Sequence, residues 1–315
     1  MFLIYPTANI QLTSKWGQMK LYKSPLPVRE GVSASKHQLP VGDWCTMLEF
    51  LQHYFPRVAT ETWISRMEKG EVVDADGIHI KPDHHYRARA TIYYYREVED
   101  EPLIPFDEEI LYRDEHLLVV DKPHFLPVIP SGSYLQETLL VRLKRKLQLE
   151  HLSPIHRLDR ETAGVILFSI NPASRGDYHL LFEHCEISKQ YEALAPISCD
   201  LQLPLSYRSR LVKGEPFFRM QEVAGEPNSE TTIEMLEQRG DIARYRLRPV
   251  TGKQHQLRVH LAALGIPIIN DHTYPELLKF KGEDYTHPLK LLAKSITFKD
   301  PYTNKQRFFE SARTL

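Results

Sequence analysis

Cysteine is scarce in this 315-residue chain: Cys45, Cys185 and Cys199 stand far apart and are odd in number. They give no disulfide framework and no CxxC pair, which suits a reducing compartment, so the expectation is a cytoplasmic protein. No apolar run approaches the ~18 residues of a membrane span, so no membrane partner is expected. The opening Met1-Phe-Leu-Ile-Tyr-Pro6 is apolar but has neither a basic segment nor a small-residue cleavage site, and is not read as a signal peptide. No GxGxxG or Walker loop occurs, so no nucleotide cofactor is indicated and none is expected. The histidine pairs His84/His85, His151/His156 and His255/His260 lack HExxH spacing and a nearby cysteine, so no metal is expected either. Asp74-Ala-Asp-Gly77 resembles the start of a calcium loop, but His85 stands where the loop requires Glu, which leaves a hairpin turn. Charge of one sign is also missing. Lys and Arg number 40 against 41 Asp and Glu, for a net charge of −1. Composition therefore shows no basic footprint of a nucleic-acid partner; only a local basic face could meet one.

What is present is an ordinary globular balance, 42% hydrophobic and 26% charged residues. The length suits one small and one large domain. Residues 1–42 carry weak periodicity and the turn formers Pro6, Pro25, Pro27 and Gly31, and read as an N-terminal extension. Residues 43–101 form a small module. Met47, Leu48, Leu51, Tyr54 and Phe55 lie at helical spacing before Pro56, and Trp63, Ile64 and Met67 mark a second helix over 60–69. A hairpin at 74–77 and a strand within 88–98 follow. The acidic stretch 97–109, with Pro102 and Pro105, is a linker, so the large domain is set at 102–315. It opens on a buried strand, Leu117–Lys122, before Pro123. A helix over 137–148 carries Arg142, Lys144, Arg145 and Lys146, a face that either meets phosphates or is simply solvated. Strands fit 163–169, 188–196, 230–237, 243–249 and 291–298, with a helix over 254–264. Strands and helices do not alternate as βαβ units. The expected fold is α+β with a central mixed, largely antiparallel sheet.

The most informative segment is Pro154-Ile-His-Arg-Leu-Asp-Arg-Glu-Thr-Ala-Gly-Val-Ile-Leu-Phe-Ser169. Asp159 sits between Arg157 and Arg160 at the mouth of an apolar strand. Flanking cations keep a carboxylate ionised, as a nucleophile or base must be. A salt-bridged turn accounts for the spacing equally well, and the residues alone leave both readings open.

His156-Arg157-Leu158-Asp159, with Thr162 and Gly164 after it, resembles the catalytic motif of the RluA-type pseudouridine synthases. Three further blocks agree in order: Leu118-Val-Val-Asp-Lys-Pro123, Lys189-Gln-Tyr191, and Thr251-Gly-Lys-Gln-His-Gln-Leu-Arg-Val-His-Leu261 followed by Gly265, Pro267, Ile268 and Asp271. The resemblance covers residues from about 107 to about 310. Departures are Ala163 for the usual Ser, Lys253-Gln254 for Arg-Thr, and Asn270 and His272 around Asp271. The resemblance implies a pseudouridine synthase fold with an active-site cleft across the sheet. It also implies an isomerase that breaks a uridine's glycosidic bond, rotates the base and rejoins it through C5. In it Asp159 attacks C1′ or removes the C2′ proton, Arg258 pairs with Asp159, and Tyr191 stacks on the base and helps remove the C5 proton.

By the same resemblance the partner is RNA, tRNA or rRNA, with the target uridine flipped out at a cost of a few kcal/mol. Arg157 then fills the vacated space, or else contacts a phosphate or Glu161. His156, Arg160, Thr251 and His255 complete the substrate-binding set, with His255 ordering the 251–258 loop. The small module more loosely resembles an S4-like RNA-binding module, with Arg57, Arg66 and Lys69 as phosphate contacts. A monomer is expected. Two other readings are weighed. A glycosidase needs a second carboxylate, and Glu161 and Asp271 are the candidates. A non-catalytic RNA-binding or ribosome-assembly protein could have kept the fold.

Overall fold

The computed structural model describes residues 24–98, 100–278 and 284–315; part of the expected N-terminal extension therefore lies outside the described residues. The chain divides into two compact units, one holding residues up to Pro27 and Ser33–Tyr95, the other Val28–Val32 and Arg96–Leu315.

In the small unit, β1 (Ser35–Gln38) is followed by α1 (Met47–Tyr54), α2 (Thr60–Glu68), β2 (Val72–Asp74) and β3 (Thr91–Tyr94). The strands form an antiparallel sheet in the order β1-β3-β2. Strand β1 falls before residue 43, where the module was expected to begin, because its backbone pairs with β3 from Ser35↔Tyr94 to Gln38↔Thr91. Thr46 caps α1, its hydroxyl accepting from the Glu49 N–H. The core is aromatic: Phe50, Trp63 and Tyr94 are buried with Leu51 and Met67. Asp74 makes the expected hairpin turn, its Oδ1 accepting from the N–H groups of Asp76 and Ile78. Arg66, expected to meet phosphate, is buried instead with its guanidinium 5.2 Å from the Trp63 ring centroid. Arg57 and Lys69 are exposed.

The large unit runs β4 (Glu109–Arg113), β5 (Leu117–Lys122), α3 (Leu139–Leu147), β6 (Ser153–Pro154), β7 (Ala163–Ser169), α4 (Arg175–Glu183), β8 (Ser188–Pro196), β9 (Leu205–Lys213), β10 (Met220–Val223), β11 (Ser229–Arg239), β12 (Ile242–Pro249), α5 (Gln256–Ala263), β13 (Leu291–Lys299) and β14 (Gln306–Glu310). One mixed sheet joins the strands in the order β10-β9-β11-β12-β8-β13-β7-β5-β4, with β14 on β13 and β6 on β7. Only β13 and β7 run parallel.

Strands β5 and β7 are buried along their whole length because both faces of the sheet are covered there. One face meets α3 through Leu118, Val120, Leu139, Leu143, Ile166 and Phe168. The other meets α4 through Leu117, Val119, Val165, Leu167, Tyr178 and Leu181. Strands β9, β11 and β12 instead alternate between buried and exposed positions. Their inner face meets α5 through Ile233, Tyr245, Leu247, Leu257 and Leu261. The α3 side and the α5 side are two separate cores on one sheet, and Tyr191 packs against both.

The basic face expected on α3 is divided: Arg142 turns inside, while Arg145 and Lys146 stay exposed. Arg142 donates to the carbonyls of Phe106 and Ile104 and pairs with Glu137, while Lys146 meets Glu108 at 3.2 Å.

The parallel pairing of β7 with β13 leaves no room for a side chain at Gly164. Its φ is +114°, and a Cβ there would lie 2.2 Å from the Ala293 carbonyl oxygen. Gly164→Ala combines backbone strain with overpacking, so it should lower stability by about 2–5 kcal/mol. The measurement is the urea midpoint at unchanged slope; a midpoint equal to that of the wild type would refute the close approach.

Candidate active site

Asp159 closes a turn at the start of β7, its carbonyl accepting from the Thr162 N–H. Under this turn lies Lys122, the last residue of β5 and fully enclosed. Its ammonium donates to the carbonyls of Pro123, Leu126 and Arg160, so its three N–H groups meet three main-chain acceptors. Burial pushes the Lys122 pKa down to about 7 against the opposing charges of Glu161 and Asp159.

Helix α5 carries the second half of the site and is buried on every side from Gln256 to Leu261. Its polar residues are therefore partnered. Gln256 accepts from the Thr251 hydroxyl and the Lys253 N–H, and donates to the Glu230 carbonyl and the Thr231 hydroxyl. His260 lies within 3.2 Å of the hydroxyls of Ser209, Ser229 and Thr231. Between them, Arg258 reaches out of the helix to two carboxylates. Its Nε and Nη2 donate to Asp271 Oδ2 and Oδ1 at 2.8 and 2.7 Å, and Nη1 donates to Asp159 Oδ2 at 3.2 Å. Burial would lower the Arg258 pKa, but the hydrogen bonds to Asp271 and the charges of Asp159 and Asp271 raise it above its ordinary value. Asp271 has no exposed side-chain surface and also accepts from the N–H groups of Thr273 and Tyr274. Asp159 keeps 26% of its side chain open to a cleft of about 660 Å³.

The other oxygen of Asp159 faces His255, Nε2 to Oδ1 at 3.7 Å. His255 takes a left-handed φ of 53° just before α5, and its Nδ1 lies 2.8 Å from the Tyr274 hydroxyl. That hydroxyl also accepts from the Met220 N–H, which ties His255 to the start of β10. Burial lowers the His255 pKa against the pull of Asp159.

Tyr191 lines the same cleft from β8. Burial, then the charge of Asp159, raises its hydroxyl pKa, so it is a phenol at neutral pH. Lys189, two residues earlier on the same face of the strand, donates to the Thr251 carbonyl at 3.3 Å. Arg157 is exposed and lines the cleft.

The structure thus brings Asp159, Tyr191, Arg258, Arg157, His156, Arg160, Thr251 and His255 to one cleft, and assigns some of the expected contacts differently. Arg160 does not pair with Asp159. It donates to the Phe125 carbonyl and the Tyr134 hydroxyl and meets Glu161 at 3.6 Å, so its polar contacts are inside the protein. Glu161 accordingly pairs with Arg160 rather than with Arg157. His156 Nε2 accepts from the Leu167 N–H while its ring stacks on Phe182, so its side chain braces β7. The Thr251 hydroxyl donates to Gln256 and accepts from the Glu230 N–H, contacts that shape the loop. Asp271 is the functional residue that sequence reasoning left without a role.

A family profile described as RNA pseudouridylate synthase matches residues 116–263. An uncharacterized RNA pseudouridine synthase of Synechocystis is 30% identical over 242 residues, covering 72% of this chain and 79% of that protein. The dual-specificity RNA pseudouridine synthase RluA of Escherichia coli is 34% identical over 211 residues, 61% of this chain and 92% of that protein. The chain belongs to the RluA-type RNA pseudouridine synthases. Among solved structures, human RNA pseudouridylate synthase domain containing 1 is 25% identical with a TM-score of 0.55, covering 68% of this chain and 86% of that one. The protein is therefore an RNA-modifying isomerase with the pseudouridine synthase fold.

Two predictions follow from the synthase's charge arrangement. Asp271→Asn removes one partner of a buried ion pair, so it should cost about 3–5 kcal/mol in stability and depress turnover beyond any loss of folded protein. Urea unfolding and single-turnover assays read the two effects separately, and normal turnover would sink the proposed clamp. The second concerns pH. Burial lowers the His156 pKa to about 3, and those of His124 and His260 to about 4. All three are neutral in the folded protein where the unfolded chain binds protons, so stability should fall as pH drops from about 6.5 towards 4. His156→Gln should flatten this dependence in urea midpoints; an unaltered slope counts against a neutral His156.

Proposed function

We propose that Asp159 and Arg258 carry the chemistry on a uridine flipped out of structured tRNA or rRNA. The observation that carries this reading is a partly open Asp159 carboxylate, held 3.2 Å from a guanidinium that Asp271 grips from behind. Asp159 attacks C1′, or removes the C2′ proton to leave a glycal; either way the C1′–N1 bond breaks. The base turns and C1′ bonds to C5 as the bond to Asp159 breaks, or, from the glycal, as C2′ regains its proton; C5 then loses its proton and N1 gains one, which restores the ring. Arg258 balances the carboxylate charge in a site that excludes water.

The ring of Tyr191 packs against the base. As a phenol, its hydroxyl accepts the C5 proton only as it gives up its own. His255 faces the second oxygen of Asp159 at 3.7 Å and helps to position it. Arg157 occupies the space the uridine leaves. The small unit acts as an S4-like RNA contact, a role supported by the exposed Arg57 and Lys69.

Three exposed free thiols support a cytoplasmic location. A glycosidase is disfavoured because Glu161 pairs with Arg160 and Asp271 is enclosed by Arg258.

The test is release of tritium to water from RNA labelled at uridine C5, with tRNA and rRNA pools assayed separately. The wild type should release it from one pool or both. Asp159→Ala and Arg258→Ala should lower the rate by at least about 10³-fold. No release from either pool overturns the reading; retained tight RNA binding would then favour a non-catalytic RNA-binding protein.

A further inference from the structure

The hairpin of β9 and β10 ends in the loop Gly214-Glu-Pro-Phe-Phe-Arg219, closed by the Lys213↔Met220 pair. At its tip Phe217 is 82% exposed and Phe218 42%, their rings edge to face at 5.7 Å. Two phenylalanines in water are a cost unless something covers them.

The tip is held in place from both sides. Within the loop, the Gly214 N–H bonds the Arg219 carbonyl and the Arg219 N–H bonds the Pro216 carbonyl. Outward, the Arg219 guanidinium lies over the Tyr274 ring and donates to the Pro275 carbonyl. The Gln254 amide donates to the Phe218 carbonyl at 3.3 Å, and Gln254 lines the cleft. The Met220 N–H meets the same Tyr274 hydroxyl that bonds His255 beside Asp159. The exposed rings are therefore fixed relative to the cleft rim through only a few contacts.

We propose that the Phe217–Phe218 tip is a stacking platform for an unpaired nucleobase next to the target uridine. The proposal rests on the RNA isomerase reading. A uridine that enters the cleft leaves its neighbours unstacked at the rim, and an aromatic face accepts any base. Lys213 at the root of the loop and Lys253 beside Gln254 are both exposed and can meet phosphate, with the exposed Glu215 the one carboxylate in the loop itself. Two side chains offer too little area to hold a protein, whose interfaces bury about 800 Å² on each side. They match one or two bases.

The test uses a labelled RNA stem–loop with a uridine-rich unpaired loop, and copies carrying an abasic site on either side of the target uridine. Phe217→Ala should weaken binding and raise KM about 5- to 100-fold, with the loss in KM rather than kcat, and Phe217→Trp should restore both. One abasic position should weaken the wild type by a similar factor and have no further effect on Phe217→Ala. Additive losses, or equal binding by wild type and Phe217→Ala, overturn the platform. Asp159-dependent tritium release in the same preparations shows that the isomerase reading still stands in that case. Sedimentation supplies the remaining outcome. A wild-type dimer that Phe217→Ala converts to monomer, with RNA binding unchanged, makes the tip a self-association patch and overturns the proposal.

Discussion

The Arg258 guanidinium, fixed by two bonds to Asp271 and offered by a third to Asp159, is the interaction on which the site depends. A lone cation so deeply buried is expensive, and so is the enclosed Asp271 carboxylate; each is tolerable because the other is present. The bidentate grip consumes Asp271 and leaves one guanidinium nitrogen for Asp159, which alone of the three charged groups stays partly open. The arrangement thus separates a structural carboxylate from a reactive one. It also explains how α5 can be buried on every side and still hold Gln256, Arg258 and His260. Each meets its partners in β9, β11 or the turn at Asp271, so the helix has one satisfied register and Arg258 one position.

The sheet sets the other coordinate. The α3 core and the α5 core meet only where β8, β13 and β7 lie side by side, and Tyr191 spans that seam. The turn bearing Asp159 enters at the same seam. It is held down by Lys122 beneath it and let in close to β13 by the missing side chain of Gly164. Rigid backbone contacts, rather than side chains reaching from loops, bring the carboxylate to the tyrosine.

Much of this was legible in the chain. The strands at 163–169, 188–196 and 291–298 and the helix over 254–264 are found within a residue or two of where periodicity puts them, because their burial pattern is local. The pairing of Asp159 with Arg258 came from the resemblance, and the contact is present. What local pattern could not carry was competition for partners. Asp159 lies between two arginines in sequence, yet β7 begins so that Arg160 turns to Phe125 and Tyr134, 35 and 26 residues earlier. Arg142 and Arg66 look like phosphate contacts until the fold surrounds them with carbonyls or a tryptophan ring. Asp271 lacked a role because its partner lies 13 residues away on another element. Its one signal was a carboxylate following the apolar turn Gly265-Ile-Pro-Ile-Ile269. Helix α4 escaped notice because Arg175–Glu183 buries only Tyr178 and Leu181.

The even charge balance, which by composition counts against an RNA partner, resolves in space. On the face of the sheet turned away from α5, Glu234 pairs with Arg246 and Arg248, Glu237 with Arg244, and Glu230 with Arg208. These pairs lie across neighbouring strands at the surface, where each adds little to stability but cancels a positive and a negative charge. Three carboxylates and four guanidiniums are thus paired with one another on that face. At the cleft, Asp271 and Glu161 are likewise matched, by Arg258 and Arg160. The positive charges of Arg157, Lys189 and Lys253 then stand around two open carboxylates, Asp159 and Glu183. A polyanion meets that local field and not the sum over the chain. A net charge of −1 is thus compatible with a cleft that draws in RNA, because phosphates meet the groups that line the cleft and not the chain's total.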